Sequence, residues 1–284
     1  MKILVLGATG MLGNAVVRVL SENPELEVSG TVRAASGKRF FPAHIAARLV
    51  TGVDVENQDS LTQALASSRP DVVINCVGLV KQLAQADDPL QALPINALLP
   101  HRLAKLCSLG DARLVQISTD CVFSGKTGGY VETDFPDAYD LYGRSKLLGE
   151  VGYENSITLR TSIIGHELQS PHSLIDWFLA QQGTCKGYTS AIFSGLPTVV
   201  LAQIIRDVVL PRPELFGLYH VSAEPISKYD LLRLVAKIYG KDIQIVPDAS
   251  LKIDRSLNSS RFSMATGYIA PEWEKLVNSM FAYK

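Results

Sequence analysis

Residues 2–13 read Lys2-Ile3-Leu4-Val5-Leu6-Gly7-Ala8-Thr9-Gly10-Met11-Leu12-Gly13. The apolar run after Lys2 has the length of a buried strand, and Met11–Leu20 then carries apolar residues at helical spacing. Strand, glycine turn and helix are the opening of a βαβ unit. Glycine permits the tight turn and lets backbone N–H groups approach a pyrophosphate, whose charge the helix dipole favours. The spacing is G-x-x-G-x-x-G rather than G-x-G-x-x-G, so position between strand and helix, more than the letters, points to dinucleotide binding. Gly7, Thr9, Gly10, Met11, Leu12 and Gly13 are the expected cofactor contacts here. The bland alternative is a packing turn.

Outward from this stretch the alternation continues. Candidate strands are Lys2–Leu6, Glu27–Val32, Arg48–Val53, Val72–Asn75, Arg113–Ser118 and Ile157–Arg160. Helical patterns lie among them at Met11–Leu20, Ser60–Ser67, Leu98–Leu109 and Tyr142–Val151. This predicts an α/β fold, a Rossmann-like doubly wound parallel sheet covered on both faces. After Thr161 the pattern changes, with a Ser/Pro/His-bearing segment from Gln169 to Ser173 and frequent proline and glycine. The expected division is a dinucleotide-binding domain over 1–160 and a smaller substrate-binding portion over 161–284, part of which returns to the first domain.

The bulk numbers narrow the function classes. With 27 basic and 28 acidic residues among 284, the chain has no electrostatic footprint for nucleic acid or an anionic membrane. No apolar run reaches the ~18 residues of a membrane span, and the run ending at Gly7 is too short for a signal core. Cys76, Cys107, Cys121 and Cys185 form no C-x-x-C pair, as expected of reduced thiols in the cytoplasm.

The second strand ends Gly30-Thr31-Val32-Arg33. A carboxylate there would favour NAD, whereas arginine accommodates the 2′-phosphate of NADP. NADPH is therefore the expected cofactor, with NADH as the alternative, unless Arg33 is a solvated loop charge. Asp54 and Val55 follow the third strand and are expected at the adenine edge, or Asp54 helps to cap the helix near Ser60. Cys76, Val77 and Gly78 follow the fourth strand and are expected on the cofactor side.

Tyr142-Gly-Arg-Ser-Lys146 places a phenol and an ammonium on one helix face. A nearby ammonium favours the phenolate, and so tunes a tyrosine that donates a proton to a ketone oxygen receiving hydride. Alone, Y-x-x-x-K is also a common surface pair. Ser118-Thr119-Asp120 closes the fifth strand at the carboxyl edge, where doubly wound folds bind ligands. A hydroxyl there, ahead of the tyrosine helix, makes Thr119, Tyr142 and Lys146 the catalytic candidates.

With these pieces the chain resembles the extended short-chain dehydrogenase/reductase family, nearest to its dTDP-4-dehydrorhamnose reductase branch and related nucleotide-sugar reductases. The resemblance runs nearly end to end. It rests on Gly7–Gly13, Val73-Ile-Asn75, Ser118-Thr-Asp-Cys-Val-Phe-Ser-Gly125 and Tyr142–Lys146. Later pieces are Leu159-Arg-Thr-Ser162, Leu196-Pro-Thr198, Gly217-Leu-Tyr-His220 and Arg255-Ser-Leu-Asn-Ser-Ser260. It implies that Thr119 orients the substrate carbonyl, Tyr142 is the acid/base and Lys146 holds the nicotinamide ribose. It implies Asn96 as the helix asparagine near the active site, or else a helix residue bonded to backbone. Asp120, Arg255 and Asn258 are placed on the substrate side, a guanidinium suiting diphosphate, unless Arg255 pairs with a nearby carboxylate. A homodimer, including one joined through a metal, is raised by the resemblance; the residues themselves supply no metal site.

Two departures shape the expectation. Cys121 stands where the rhamnose-type reductases carry tyrosine and related dehydratases a glutamate, which argues against water elimination. Cys76-Val-Gly-Leu-Val-Lys-Gln82 differs from the family's usual segment, and its Val-Lys-Gln is similar to sugar-nucleotide enzymes of capsule and O-antigen synthesis. Lys81 either contacts substrate or caps a loop in solvent. His166 reads as an ordinary loop residue. The expected activity is NADPH-dependent reduction of a 4-keto nucleotide sugar for surface polysaccharide. The alternatives are an epimerase on the same scaffold and a non-catalytic NADP-binding subunit.

Overall fold

The computed structural model describes residues 1–81, 84–168 and 173–284. Gln82 and residues 169–172, both within segments singled out above, lie outside the described residues. The strands β1 (Lys2–Leu6), β2 (Glu27–Val32), β3 (Leu49–Thr51), β4 (Val72–Asn75), β5 (Arg113–Thr119) and β6 (Ser156–Thr161) join Gly217–His220 in one sheet. The order is Gly217–His220, β6, β5, β4, β1, β2, β3. The sheet is the expected doubly wound one, and the pairs from β5 to β3 are parallel. Its central strands are continuous apolar runs because helices cover both faces. On β1, Ile3, Leu4, Val5 and Leu6 are all essentially buried. Leu4 and Leu6 share a cluster with Leu61, Val73, Leu99, Leu103 and Leu114.

The order reverses between β1 and β4, so the loops leaving these strands diverge and open the crevice where such sheets bind ligands. Three boundaries differ from the sequence expectation for local reasons. β3 is shorter because Gly52 turns the chain at φ +77°. The helix expected from Ser60 begins at Gln58, with the Asn57 side chain accepting from Ser60 N. The tyrosine helix spans Leu141–Leu148 and stops before Gly149, where a Cβ would sit 2.0 Å from the Asn96 carbonyl oxygen.

The helix expected from Leu98 is the last part of a longer run: Pro89–Ala92, a π-helical stretch Leu93–Leu98, then Leu99–Leu109. Pro94 and Pro100 lie within this run. Proline removes a backbone donor, and a widened turn is a way for the chain to stay helical around it.

The chain divides into two compact units. The first holds Met1–Ser118, Tyr139–Leu159 and Ala202–Leu218, and contains most of the sheet. The second holds Thr119–Ala138, Arg160–Leu201 and Tyr219–Lys284. Short strand pairs build the second unit, among them Thr184–Tyr188 with Gln244–Asp248. The helices Leu174–Ala180 and Lys228–Tyr239 start on Ser173 and Ser227, whose hydroxyls accept from Asp176 N and Asp230 N. Ile175, Phe178, Leu231, Val235, Val277 and Met280 form its apolar core.

Candidate active site

The glycine loop is built by close approach. Gly7 has φ +79°, and a Cβ there would meet Val77 Cγ2 at 3.0 Å, so the loops after β1 and β4 abut at the switch point. A Cβ on Gly13 would fall 2.1 Å from the Gly7 carbonyl oxygen; only glycine lets the first helix begin this near the turn. Gly7 N donates to Thr31 Oγ1 and Gly10 N to Gly7 O. No side chain caps the helix Met11–Ser21 at Gly10, so a bare helix N-terminus opens above a turn in which Gly7 and Gly10 carry no Cβ. These residues fit a dinucleotide pyrophosphate. Thr9 and Met11 are half-buried and Leu12 buried. Asn14, passed over in the sequence, is buried one turn further on, and its Nδ2 has no hydrogen-bond partner among the described residues.

Arg33 is exposed after β2. Asp54 Oδ1 accepts from Glu56 N, so this carboxylate shapes its own turn and the helix cap belongs to Asn57. Val55 is half-buried beside the cluster under β1.

The loop after β4 is tied to the tyrosine helix. Asn75 holds Gln116 on β5 through Nδ2 and accepts from Val77 N through Oδ1, turning the chain out of the strand. Asn96 is buried in the π-helical stretch, where its Oδ1 accepts from Leu79 N at 2.9 Å and its Nδ2 donates to Leu79 O at 3.3 Å. The same Nδ2 reaches Ser145 Oγ at 3.1 Å. Its amide is thereby committed to protein. Lys81 Nζ donates to Asp140 Oδ2 at 2.9 Å, and Asp140 Oδ1 caps the tyrosine helix by accepting from Gly143 N at 2.8 Å.

Tyr142 is half-buried and Lys146 buried on this helix. Lys146 Nζ donates to the Ile117 carbonyl oxygen at 2.8 Å. Burial pulls its ammonium down to about 8, with Glu150 and Cys76 opposing. Burial likewise pushes the Cys76 thiol up to about 12 against the pull of Lys146, which makes it a neutral wall. A Cβ on Gly78 would lie 3.7 Å from Lys146 Nζ, so glycine leaves that side of the ammonium uncovered. Ser118 Oγ donates to Glu150 Oε1 at 2.6 Å, which engages the first of the two strand-end hydroxyls.

Within the second unit, Thr119, Asp120 and Arg255 come together. Thr119 Oγ1 donates to Asp120 Oδ1 at 3.1 Å and accepts from Cys121 N. Asp120 is buried, which pushes its carboxyl above the usual carboxylate range; the Arg255 charge and bonds from Thr119, Cys121 and Ser162 oppose this. Arg255 Nε donates to Phe123 O at 2.8 Å. Asn258 is exposed, its Oδ1 accepting from Ser260 N. His166 bridges Asp176 Oδ1 at 2.9 Å and Tyr239 OH at 2.8 Å, a packing network linking two helices of this unit. Among the described residues no group of three or more His, Cys, Asp or Glu side chains could hold a metal ion, and no helix is long and apolar enough to cross a membrane.

The family model for the RmlD substrate binding domain matches residues 1–283. The chain belongs to this family. It is 25% identical over 307 aligned positions to the dTDP-4-dehydrorhamnose reductase of Aggregatibacter actinomycetemcomitans, covering 99% of each chain. It is 27% identical over 251 positions to methionine adenosyltransferase 2 subunit beta of Danio rerio, covering 84% of this chain and 74% of that one. The crystal structure of dTDP-4-dehydrorhamnose reductase from Bacillus anthracis str. Ames, in complex with NADP, superimposes with a TM-score of 0.80. That pairing covers 100% of this chain and 99% of the other at 21% identity, and so speaks to the fold.

Proposed function

We propose that this family member reduces the keto group of a nucleotide sugar, of the dTDP-4-dehydrorhamnose kind, with NADPH, in surface polysaccharide synthesis. The observation that carries this is Lys146: a buried ammonium, held by the Ile117 carbonyl, one turn from Tyr142 on the same helix. A chain kept only for packing has no reason to bear the cost of that burial. Membership in the family of rhamnose-type reductases supports the substrate class.

Bound NADPH supplies the hydride. The loop Gly7–Gly13 would hold its pyrophosphate, Arg33 its 2′-phosphate, Asp54 and Val55 its adenine edge, and Cys76, Val77 and Gly78 the nicotinamide side. Tyr142 donates its proton to the substrate's keto oxygen. Lys146 would hold the nicotinamide ribose and lower the free energy of the phenolate left behind. Thr119 orients the carbonyl, while Asp120, Arg255 and Asn258 take the substrate's polar and diphosphate groups. We place the enzyme in the cytoplasm, as a homodimer; its four cysteines, none in a disulfide, suit a reducing compartment.

The test is NADPH oxidation with dTDP-, UDP- and GDP-linked keto-sugars, using the wild type and Tyr142→Phe. Stoichiometric consumption that Tyr142→Phe abolishes, with NADPH binding kept, supports the proposal. Full conversion on a catalytic amount of cofactor would make the chain an epimerase. The likeness to methionine adenosyltransferase 2 subunit beta favours a second reading, a cofactor-binding subunit without turnover. NADPH binding with no turnover across the panel would select it.

A further inference from the structure

The segment 79–81 grips the tyrosine helix at two places on either side of Tyr142. Leu79 is held through Asn96 to Ser145, a buried tie. Lys81 is held directly to Asp140, the residue that caps the helix. The second tie is exposed, with 46% and 30% of the two side chains accessible. Exposed pairs of this kind add little to stability, so stability alone does not account for it. Its distinctive property is where the charges stand. Asp140 is two positions ahead of the phenol, and an uncompensated carboxylate at the start of that helix opposes formation of a phenolate.

We propose that Lys81 is a positioning residue for Tyr142, acting through Asp140: it fixes the helix cap and neutralises the carboxylate nearest to the phenol in sequence. This rests on the reading of Tyr142 as the proton donor. Among the described residues, the other charged or titratable groups around the helix include Arg144 and Lys146 on it, Tyr139 before its cap, Glu150 just beyond it and Cys76 after β4. They also include Asp87 and Asp88 at the turn Ala84–Asp87 and the cap of Pro89–Ala92, and His101 of Leu99–Leu109, whose Nε2 contacts the Leu148 carbonyl oxygen at 2.8 Å. The stretch Leu93–Leu98 carries no charge. All of these stay constant when the pair alone is changed.

The experiment compares Lys81→Met, Asp140→Asn and the double variant, asparagine being as good an N-cap as aspartate. Two readouts are taken: the pH profile of kcat, and the tyrosinate absorbance titration of each cofactor-free protein minus its Tyr142→Phe counterpart. Lys81→Met should move the Tyr142 limb up by roughly half a pH unit, Asp140→Asn should move it down by a similar amount, and the double variant should return close to wild type. Stationary limbs in both single variants would overturn the proposal. So would a raised KM for the nucleotide sugar in Lys81→Met with the limb unmoved, since Lys81 would then be a substrate contact. The absorbance titration needs no turnover, so the proposal is tested even if the reductase reading fails.

Discussion

Lys146 Nζ donates to the carbonyl oxygen of Ile117, immediately before Ser118 and Thr119 on β5, at 2.8 Å. The strand that ends in the candidate hydroxyl thus anchors the cation one helical turn from Tyr142. Buried at a hydrogen bond to a neutral carbonyl, the ammonium has given up most of its hydration, and that loss explains its lowered pKa.

A pH signature follows from Lys146. The unfolded chain holds this group at its ordinary 10.5 and the folded one at about 8, so between these values the unfolded state binds more protons. Stability therefore rises with pH across that window, and burial of the charged form costs on the order of 3 kcal/mol at neutral pH. In urea titrations of the cofactor-free protein, wild type should gain on Lys146→Met as pH climbs above 8. A constant difference would contradict the burial argument. Turnover in Lys146→Met should fall by roughly 100-fold or more.

Gly10 and Gly13 should separate cofactor binding from folding. A Cβ at Gly10 meets its nearest atom, Gly7 O, at an ordinary 3.4 Å, whereas at Gly13 it would stand 2.1 Å from the same oxygen. Gly10→Ala should keep the melting temperature near wild type while weakening NADPH binding by about tenfold, as the methyl occupies the anion's approach. Gly13→Ala should destabilise the protein itself, by about 1–3 kcal/mol. Isothermal titration and thermal melts would distinguish the two.

Arg33 should select between cofactors. Arg33→Ala is expected to raise KM for NADPH by about tenfold and to leave that for NADH unchanged, because only the former carries the 2′-phosphate. Equal effects on both would assign Arg33 to the loop alone.

His220 should govern part of the acid stability of the second unit. It is buried, takes a bond from Arg160 Nη1 at 2.9 Å and contacts the Tyr130 carbonyl through Nδ1. Burial and then the Arg160 charge bring it from 6.5 to about 4. The unfolded chain binds the extra proton in this range, so the stabilisation is complete above pH 6.5 and lost as pH falls towards 4, by about 3 kcal/mol. His220→Gln should flatten urea stability across that window.

Much of the fold was legible in the sequence because its signals are local. The apolar runs of β1 and β4, the Gly7–Gly13 turn and the four-residue spacing of Tyr142 and Lys146 are each contained in a short window, and backbone geometry converts that spacing into a face. The helix through Pro94 was not legible, since proline locally argues for a break and only packing keeps the run helical. Nor could the sequence tell which stretches rejoin the first unit, or that Gly217–His220 completes the sheet.

At the candidate site the division is the same. The sequence by itself determined the candidates for the chemistry: the glycines of the first turn, the phenol, the ammonium and the strand-end hydroxyl. Tertiary structure alone decided what surrounds them, including Ile117 O on Lys146, Asn96 spent on Leu79 and Ser145, and Lys81 paired with Asp140. Desolvation and charge pairing join residues tens of positions apart, and those partners exist only once the sheet has brought β4, β5 and the tyrosine helix together.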